Sequence, residues 1–154
     1  METELKKILL VEDDPHDIEL TLIALGKSHL ENEVAVVRDG EEALNYLLNR
    51  KNIELPDTSN PGVILLDLKL PKINGLDLLK QIRANEQLAM IPVVVLTSSG
   101  EESDVKEAYK LGANAYVVKP VNFNEFISAV KEIGLFWGII NEPPPGTIRK
   151  HIGI

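Results

Sequence analysis

Cysteine is absent from this chain of 154 residues. Its absence excludes disulfide bonds and thiolate chemistry, and it fits the cytoplasmic location that we expect. Long apolar runs are also absent, because no segment approaches the roughly 20 apolar residues that span a bilayer. The polar start, followed by a short apolar run that ends in three acids, is unlike a signal peptide.

Basic residues are scarce, with 16 Lys and Arg against 24 Asp and Glu and a formal net charge of -8. An acidic surface repels phosphate backbones, so we expect neither nucleic-acid binding nor membrane association. Hydrophobic residues make up 44% of the chain, which is ordinary for a globular domain.

Short apolar runs alternate with helical patterns along the chain, which is typical of an α/β domain. The runs predict buried parallel strands at about 7–11, 33–37, 63–66, 93–96 and 115–118. The patterns between them predict helices at about 15–26, 41–48, 75–84, 103–111 and from 122 to 136 or beyond. Ala43, Leu44, Leu47 and Leu48 are the predicted inner face of the second helix.

Two proline-containing segments interrupt this pattern. The polar connection over 50–62 is long for a loop of this kind and predicts a surface excursion. The run of three prolines at 143–145 stops the last helix and favours an extended polyproline conformation. We therefore expect one domain over 1–140 and a Pro-rich tail over 141–154.

Polar residues follow four of the predicted strands at their carboxyl ends: Glu12-Asp13-Asp14, Asp67, Thr97-Ser98 and Lys119-Pro120. In an open α/β sheet, ligands bind just beyond the carboxyl ends of the strands. These segments should therefore form one pocket with clustered carboxylates, a hydroxyl and an ammonium. Such a pocket suits a hard divalent cation together with a phosphoryl group.

A purely structural interpretation remains open for parts of this pocket. The acidic triplet is also what a helix N-terminus prefers, and Asp67 and Lys119 could form a buried ion pair. That pair would leave the acidic cluster without a purpose. In the functional interpretation, Mg²⁺ relieves the carboxylate repulsion, Asp67 is a nucleophile that forms an aspartyl-phosphate, and Thr97 and Lys119 contact the phosphoryl oxygens.

The chain resembles the receiver domain of two-component response regulators. The matching segments are 8–15, Leu65 to Pro71 with Gly75, Thr97-Ser98-Ser99 and 116–120. The resemblance implies a flavodoxin-like (βα)5 fold, a doubly wound parallel sheet with strand order 2-1-3-4-5. It also implies a switch rather than a turnover enzyme, which takes a phosphoryl group from a sensor histidine kinase and catalyses its own phosphorylation and dephosphorylation.

The resemblance assigns a role to each matching position. Asp67 would be the phosphoacceptor and a ligand of Mg²⁺. Asp13 would be the main metal carboxylate, Glu12 a carboxylate acting through water or indirect contacts, and the backbone carbonyl of Lys69 a further ligand. Thr97 and Lys119 would contact the phosphoryl group, and Tyr116 would be the aromatic switch residue. The Lys119-Pro120 peptide would be cis.

A narrower resemblance lies near the C-terminus. Residues 136–145, together with the 50–62 loop, resemble single-domain regulators partnered with bacterial and cyanobacterial phytochrome histidine kinases. Phe136 and Trp137 either cap the protein's own core or form a subunit interface, since Trp and Phe are enriched at interfaces. We expect a homodimer that signals to an unknown downstream protein through the face of the fourth helix, fifth strand and fifth helix.

Three other functions fit the sequence less well. A haloacid-dehalogenase phosphatase would carry a second Asp two residues after its nucleophile, where this chain has Lys69. A dinucleotide-binding domain would carry Gly-x-Gly-x-x-Gly after the first strand, which is absent here. A receiver that cannot be phosphorylated would not keep Asp13, Asp67, Thr97 and Lys119 together.

Overall fold

The computed structural model describes residues 2–49 and 60–153, and the predicted excursion over 50–62 lies mostly outside them. A short strand β1 (Glu2–Lys6) comes first. The central sheet of the described residues follows, and its parallel strands are β2 (Ile8–Val11), β3 (Val34–Val37), β4 (Val63–Leu66), β5 (Val93–Thr97) and β6 (Ala115–Val118). Their order is β3-β2-β4-β5-β6. This confirms the predicted order 2-1-3-4-5, which numbered only the five strands of the central sheet and so did not count β1.

The central strands are continuous apolar runs because helices cover the sheet on both sides. All residues of β2 and β4 are buried, and the two strands pair in register from Ile8 with Val63 to Val11 with Leu66. Alternate residues enter opposite cores, so Leu9 and Val11 pack on one side while Ile8 and Leu10 pack on the other.

The described helices are α1 (Pro15–Gly26), α2 (Gly40–Asn49), α3 (Gly75–Ala84), α4 (Glu102–Lys110) and α5 (Phe123–Ile133). Helices α1 and α5 pack on one face of the sheet, and α2, α3 and α4 pack on the other. Asp14 caps α1, since its side chain accepts hydrogen bonds from the backbone N–H groups of His16 and Asp17. The predicted inner face of α2 is wrong at Leu48, which is 40% exposed because that side of the last turn faces solvent.

Beyond α5 the chain continues in π-helical turns over Gly134–Ile140. Two glycines permit this segment to lie against α1 and the loop after it. A Cβ on Gly134 would be 2.5 Å from Leu25 Cδ2, and a Cβ on Gly138 would be 3.0 Å from Leu30 Cδ1. The prediction that helical structure continues past Phe136 is therefore correct.

The end of the chain forms a second, two-stranded sheet. Strand β7 (Arg149–Gly153) pairs antiparallel with β1, with Glu4 opposite His151. Lys6 is 3% exposed, and its Nζ donates to the carbonyl oxygen of Ile139 at 2.6 Å. The predicted extended tail thus turns at Gly146, where φ is 91°, and returns as a strand. None of the helices in the described ranges combines the length and apolar character needed to cross a bilayer.

Candidate functional site

The predicted site residues meet at the carboxyl edge of the central sheet. Glu12 and Asp13 follow β2, Asp67 follows β4, Thr97 ends β5, and Lys119 comes directly after β6. Carboxylate oxygens of Glu12, Asp13 and Asp67 lie within 4.8 Å of one another. The edge of the parallel sheet therefore brings together groups that are far apart in the sequence.

Asp67 is buried and hydrogen-bonded at both of its carboxylate oxygens. It is 7% exposed, and its Oδ1 accepts hydrogen bonds from Thr97 Oγ1 at 2.9 Å and from the backbone N–H of Lys69 at 3.2 Å. Its Oδ2 accepts from Lys119 Nζ at 3.0 Å. Gly75 lies against its backbone, because a Cβ there would collide with the carbonyl oxygen of Asp67.

Lys119 is in contact with three carboxylates. Its Nζ lies 2.5 Å from Glu12 Oε1, 2.8 Å from Asp17 Oδ2 and 3.0 Å from Asp67 Oδ2. Asp17 belongs to the first turn of α1 and is a site residue that sequence reasoning missed. No local pattern indicates this contact, because an acid in the first turn of a helix is favoured by the helix dipole alone.

Burial and charge shift the pKa values of these groups in different directions. Burial raises the pKa of Glu12 to about 7, and the charge of Asp67 adds to this effect while Lys119 opposes it. For Asp67, burial acts to raise the pKa, but the ammonium of Lys119 and the hydrogen bonds to the carboxylate leave it below its usual range. Burial acts to lower the pKa of Lys119, but its bonds to Asp17 and Glu12 raise it overall.

The acidic cluster has the donor chemistry of a Mg²⁺ or Mn²⁺ site. Both cations prefer oxygen ligands, and Mg²⁺ uses one or two carboxylates with waters rather than a complete protein cage. Asp13 is exposed, whereas Glu12 is 2% exposed and its Oε2 accepts from the backbone N–H groups of Asp13 and Asp14. Asp13 and Lys69 line the same cleft of about 540 Å³. The residues fit the cation, and Asp13 is the exposed carboxylate of the cluster.

The loop after β5 connects this site to Tyr116 on β6. The Tyr116 hydroxyl donates to the carbonyl oxygen of Ser99 at 2.7 Å, and Ser99 Oγ donates to Asp104 Oδ2 at 2.5 Å. Thr97 lies two residues before Ser99 on the same segment. Hydrogen bonds therefore join the segment after Thr97 to Tyr116 and to the start of α4.

The Lys119-Pro120 peptide bond does not have the predicted geometry. None of the peptide bonds between described residues is cis, so this bond is trans. The expectation of a cis bond was wrong, and the trans form is the one that X–Pro bonds favour by about 0.5–1 kcal/mol.

Phe136 and Trp137 were predicted either to cap the protein's own core or to form a subunit interface, and the structure places the two residues differently. Trp137 is half-buried and packs against the core between the sheet and helices α1 and α5. Phe136 is 47% exposed, and its ring lies edge-on to that of Trp137 with centroids 5.0 Å apart. Trp137 therefore supports the protein's own core, whereas Phe136 is available to another surface.

Comparison with known proteins identifies the family. The sequence model of the response regulator receiver domain family matches residues 8–131 of this chain. The chain belongs to this family. As a receiver it takes part in two-component signalling and is not an enzyme in the usual sense.

Several receivers of single-domain size are similar to this one. The response regulator Rcp1 of Synechocystis sp. is 40% identical over 132 residues, which are 86% of this chain and 88% of Rcp1. The phosphorylated cyanobacterial phytochrome response regulator RcpA is 41% identical with a TM-score of 0.81, covering 91% of this chain and 99% of RcpA. The bacteriophytochrome response regulator RtBRR is 60% identical with a TM-score of 0.68, covering 93% of this chain and 86% of RtBRR.

A structure of Rcp1 with Mn²⁺ bound is 39% identical to this chain, with a TM-score of 0.79, and the match covers 90% of this chain and 99% of Rcp1. Receivers bind Mg²⁺ or Mn²⁺ at an acidic pocket, and this receiver carries the Glu12, Asp13 and Asp67 cluster at the corresponding edge.

Proposed function

We propose that this receiver is a stand-alone response regulator that accepts a phosphoryl group on Asp67 from a sensor histidine kinase. The observation that carries the proposal is the arrangement around Asp67. Its two oxygens are held by Thr97, Lys119 and the Lys69 N–H, and the acidic residues Glu12 and Asp13 lie beside it. A structural ion pair alone would require Lys119 but none of the other groups.

The chemistry needs only a nucleophile and donors in place. A carboxylate oxygen of Asp67 attacks the phosphorus of a phosphohistidine, the O–P bond forms, and the N–P bond breaks with the imidazole leaving. Thr97 Oγ1 and Lys119 Nζ, which donate hydrogen bonds to Asp67, would bind the new phosphoryl oxygens. A bound divalent cation would neutralise charge on the carboxylates and on the phosphoryl group.

Dephosphorylation uses the same groups. Water attacks the phosphorus, the O–P bond breaks, and inorganic phosphate leaves while the Asp67 carboxylate is regenerated. The receiver thus catalyses its own phosphorylation and dephosphorylation, and the phosphorylated state is the signal.

The partners follow from the relatives and from the surface. RcpA and RtBRR are regulators of phytochrome systems by name, which supports a phytochrome-type histidine kinase as the phosphoryl donor. The bond from Tyr116 to the loop after β5 supports an output face made of α4, β6 and α5. Within this proposal, residues 1–140 are the receiver domain and 141–154 are a tail, whose strand β7 pairs with β1.

Phosphorylation of Asp67 is tested with acetyl phosphate and Mg²⁺. We expect one base-labile phosphoryl group per chain by intact mass, and none in Asp67→Asn. Asp77→Asn is the matched control, because Asp77 is an exposed acid in the first turn of α3 and should label as the wild type does. A stoichiometric adduct that persists in Asp67→Asn rules out this assignment.

The same assay tests the metal ligand. Asp13→Ala removes an exposed carboxylate of the acidic cluster, so labelling at limiting Mg²⁺ should fall at least about tenfold, as metal-site changes commonly do. If Asp13→Ala labels as fast as Asp77→Asn does, the cation is held elsewhere.

A further inference from the structure

Helix α1 supplies a carboxylate to Lys119 that the family resemblance did not assign. Asp17 Oδ2 lies 2.8 Å from Lys119 Nζ, closer than Asp67 Oδ2 at 3.0 Å. The side chain of Asp17 is 24% exposed, whereas those of Glu12 and Lys119 are 3% and 8% exposed. The ammonium is therefore shared between two buried acids and one that contacts water.

The donor capacity of Lys119 limits what it can bind. An ammonium has three N–H donors and no more. Glu12, Asp17 and Asp67 each receive one of them. A phosphoryl oxygen on Asp67 can be bound by Lys119 only if one of these contacts is released.

Asp17 is the carboxylate that can leave at the lowest cost. Glu12 is buried, so losing Lys119 would leave part of its charge without solvation. Asp17 instead lines an open cleft of about 280 Å³ with His16, Ser98 and Lys119. Its carboxylate has room to turn towards water, which replaces the lost hydrogen bond.

We propose that Asp17 is a positioning residue that holds Lys119 in the unphosphorylated arrangement and competes with the phosphoryl group for its ammonium. This inference rests on the proposed phosphorylation of Asp67. It predicts that loss of Asp17 strengthens the binding of a phosphoryl group and slows its hydrolysis, because Lys119 then has a donor available at no cost.

The experiment measures binding of beryllofluoride, a phosphoryl analogue, at saturating Mg²⁺, together with the half-life of the aspartyl-phosphate. Asp17→Ala should bind beryllofluoride about threefold to tenfold more tightly and keep the phosphoryl group longer by a similar factor, as the loss of one competing hydrogen bond worth about 1 kcal/mol implies. Asp17→Asn, which keeps the shape but not the charge, should change in the same direction. Asp17→Glu should restore values near those of the wild type.

Glu19→Gln is the matched control, since it removes an exposed charge from the same helix. It should stay within about twofold of the wild type, because exposed charges without direct contact are screened. NMR of ¹⁵N-labelled lysine ammonium groups adds a readout that a merely structural role would not move. In Asp17→Ala without ligand, the Lys119 signal should already be shifted towards its beryllofluoride-bound position.

Unchanged or weaker beryllofluoride binding in both Asp17→Ala and Asp17→Asn overturns the inference, and so does an equal effect of Glu19→Gln. Those results leave the proposed function intact if Asp67 is still labelled. Failure of the proposed function gives a different result, namely an adduct that persists in Asp67→Asn.

Discussion

At the scale of single residues, the site is defined by charges that the sheet edge buries. Glu12, Asp67 and Lys119 are each less than 10% exposed at the side chain. A buried charge is costly unless it is paired and hydrogen-bonded, and here each charge has such partners. The two acids differ, because Asp67 stays ionised while the pKa of Glu12 is raised to about 7.

Lys119→Ala tests whether this ion pairing serves the fold or the switch. With Mg²⁺ present, we expect the unphosphorylated variant to be as stable as the wild type or more stable, since the cation can bind the released carboxylates. Thr97→Ala, which removes one hydrogen bond to Asp67, should cost about 1 kcal/mol. Thermal unfolding with and without Mg²⁺ measures the stability of both variants. A large loss of stability in either variant with Mg²⁺ present would favour the interpretation that Asp67 and Lys119 form a purely structural ion pair.

The stability of Lys119→Ala should depend on pH in a direction that the pKa of Glu12 determines. The pKa of Glu12 is raised from 4.5 to about 7 on folding, so its contribution to stability is fully present below pH 4.5 and is lost as pH rises through about 7. Removing Lys119 removes a group that lowers this pKa. In EDTA, Lys119→Ala should therefore lose more stability than the wild type between pH 5 and pH 8, roughly the range of this titration.

At this scale the sequence predicted the acids at the strand ends but not the contacts of α1. A carboxylate that directly follows a buried strand is costly unless a cation or a donor pairs with it, so Asp67 could be found from the pattern. Asp17 could not, because an acid in the first turn of any helix is favoured by the helix dipole alone. Only the position of α1 relative to β6 directs it to Lys119.

At the scale of secondary structure elements, Arg83 joins three segments of the chain by hydrogen bonds. From the last turn of α3 it donates five hydrogen bonds, to the carbonyl oxygens of Ala89, Ile91 and Gly112 and to Asn114 Oδ1. Asn114 in turn accepts from the backbone N–H of Val93 at 2.8 Å. Arg83 thus fixes the loop before β5 and the turn after α4.

Replacement of Arg83 should lower stability without changing phosphorylation. Arg83→Ala leaves several carbonyl groups without donors, so we expect a loss of about 2–4 kcal/mol in urea unfolding. Arg83→Lys should recover only part of it, because an ammonium cannot reproduce the planar fork of donors. Lys80→Ala, an exposed change on the same helix, is the control and should lie within about 0.5 kcal/mol of the wild type. Equal stability of the two Ala variants would show that the Arg83 contacts are dispensable.

The elements of the central sheet were predictable from the sequence, whereas β1 and β7 were not. Apolar runs such as Val63–Leu66 identify a buried strand locally. Strands β1 and β7 are short and rich in polar residues, and they stabilise each other across nearly the whole length of the chain. The salt bridge of Arg149 with Glu4 joins the two strands, and that of Lys150 with Glu33 joins β7 to the residue before β3. Local patterns carry no sign of such pairs.

At the scale of the whole molecule, the π-helical turns near the C-terminus carry one group of exposed apolar side chains. Leu135, Phe136 and Ile140 are 42%, 47% and 61% exposed within seven consecutive residues. Exposed aromatic and aliphatic side chains grouped in this way are typical of a protein–protein contact. The predicted homodimer would bury this surface, while Trp137 already belongs to the core of the protomer.

The homodimer is tested by sedimentation velocity at micromolar concentration, with and without beryllofluoride. We expect a dimer, and the comparison of the two conditions measures whether its strength depends on the phosphoryl analogue. Phe136→Ala with Ile140→Ala should weaken it at least about tenfold, because two exposed anchors are truncated while the core around Trp137 is kept.

Met90→Ala is the matched control, because Met90 is 66% exposed but lies outside the C-terminal turns. Met90→Ala should leave the association unchanged if the interface lies on the π-helical turns. Pairing Phe136→Ala with Trp137→Ala would be less suitable, since loss of Trp137 would also open the core. A strict monomer under both conditions removes the homodimer, and a dimer that tolerates Phe136→Ala with Ile140→Ala moves the interface to another face of the molecule.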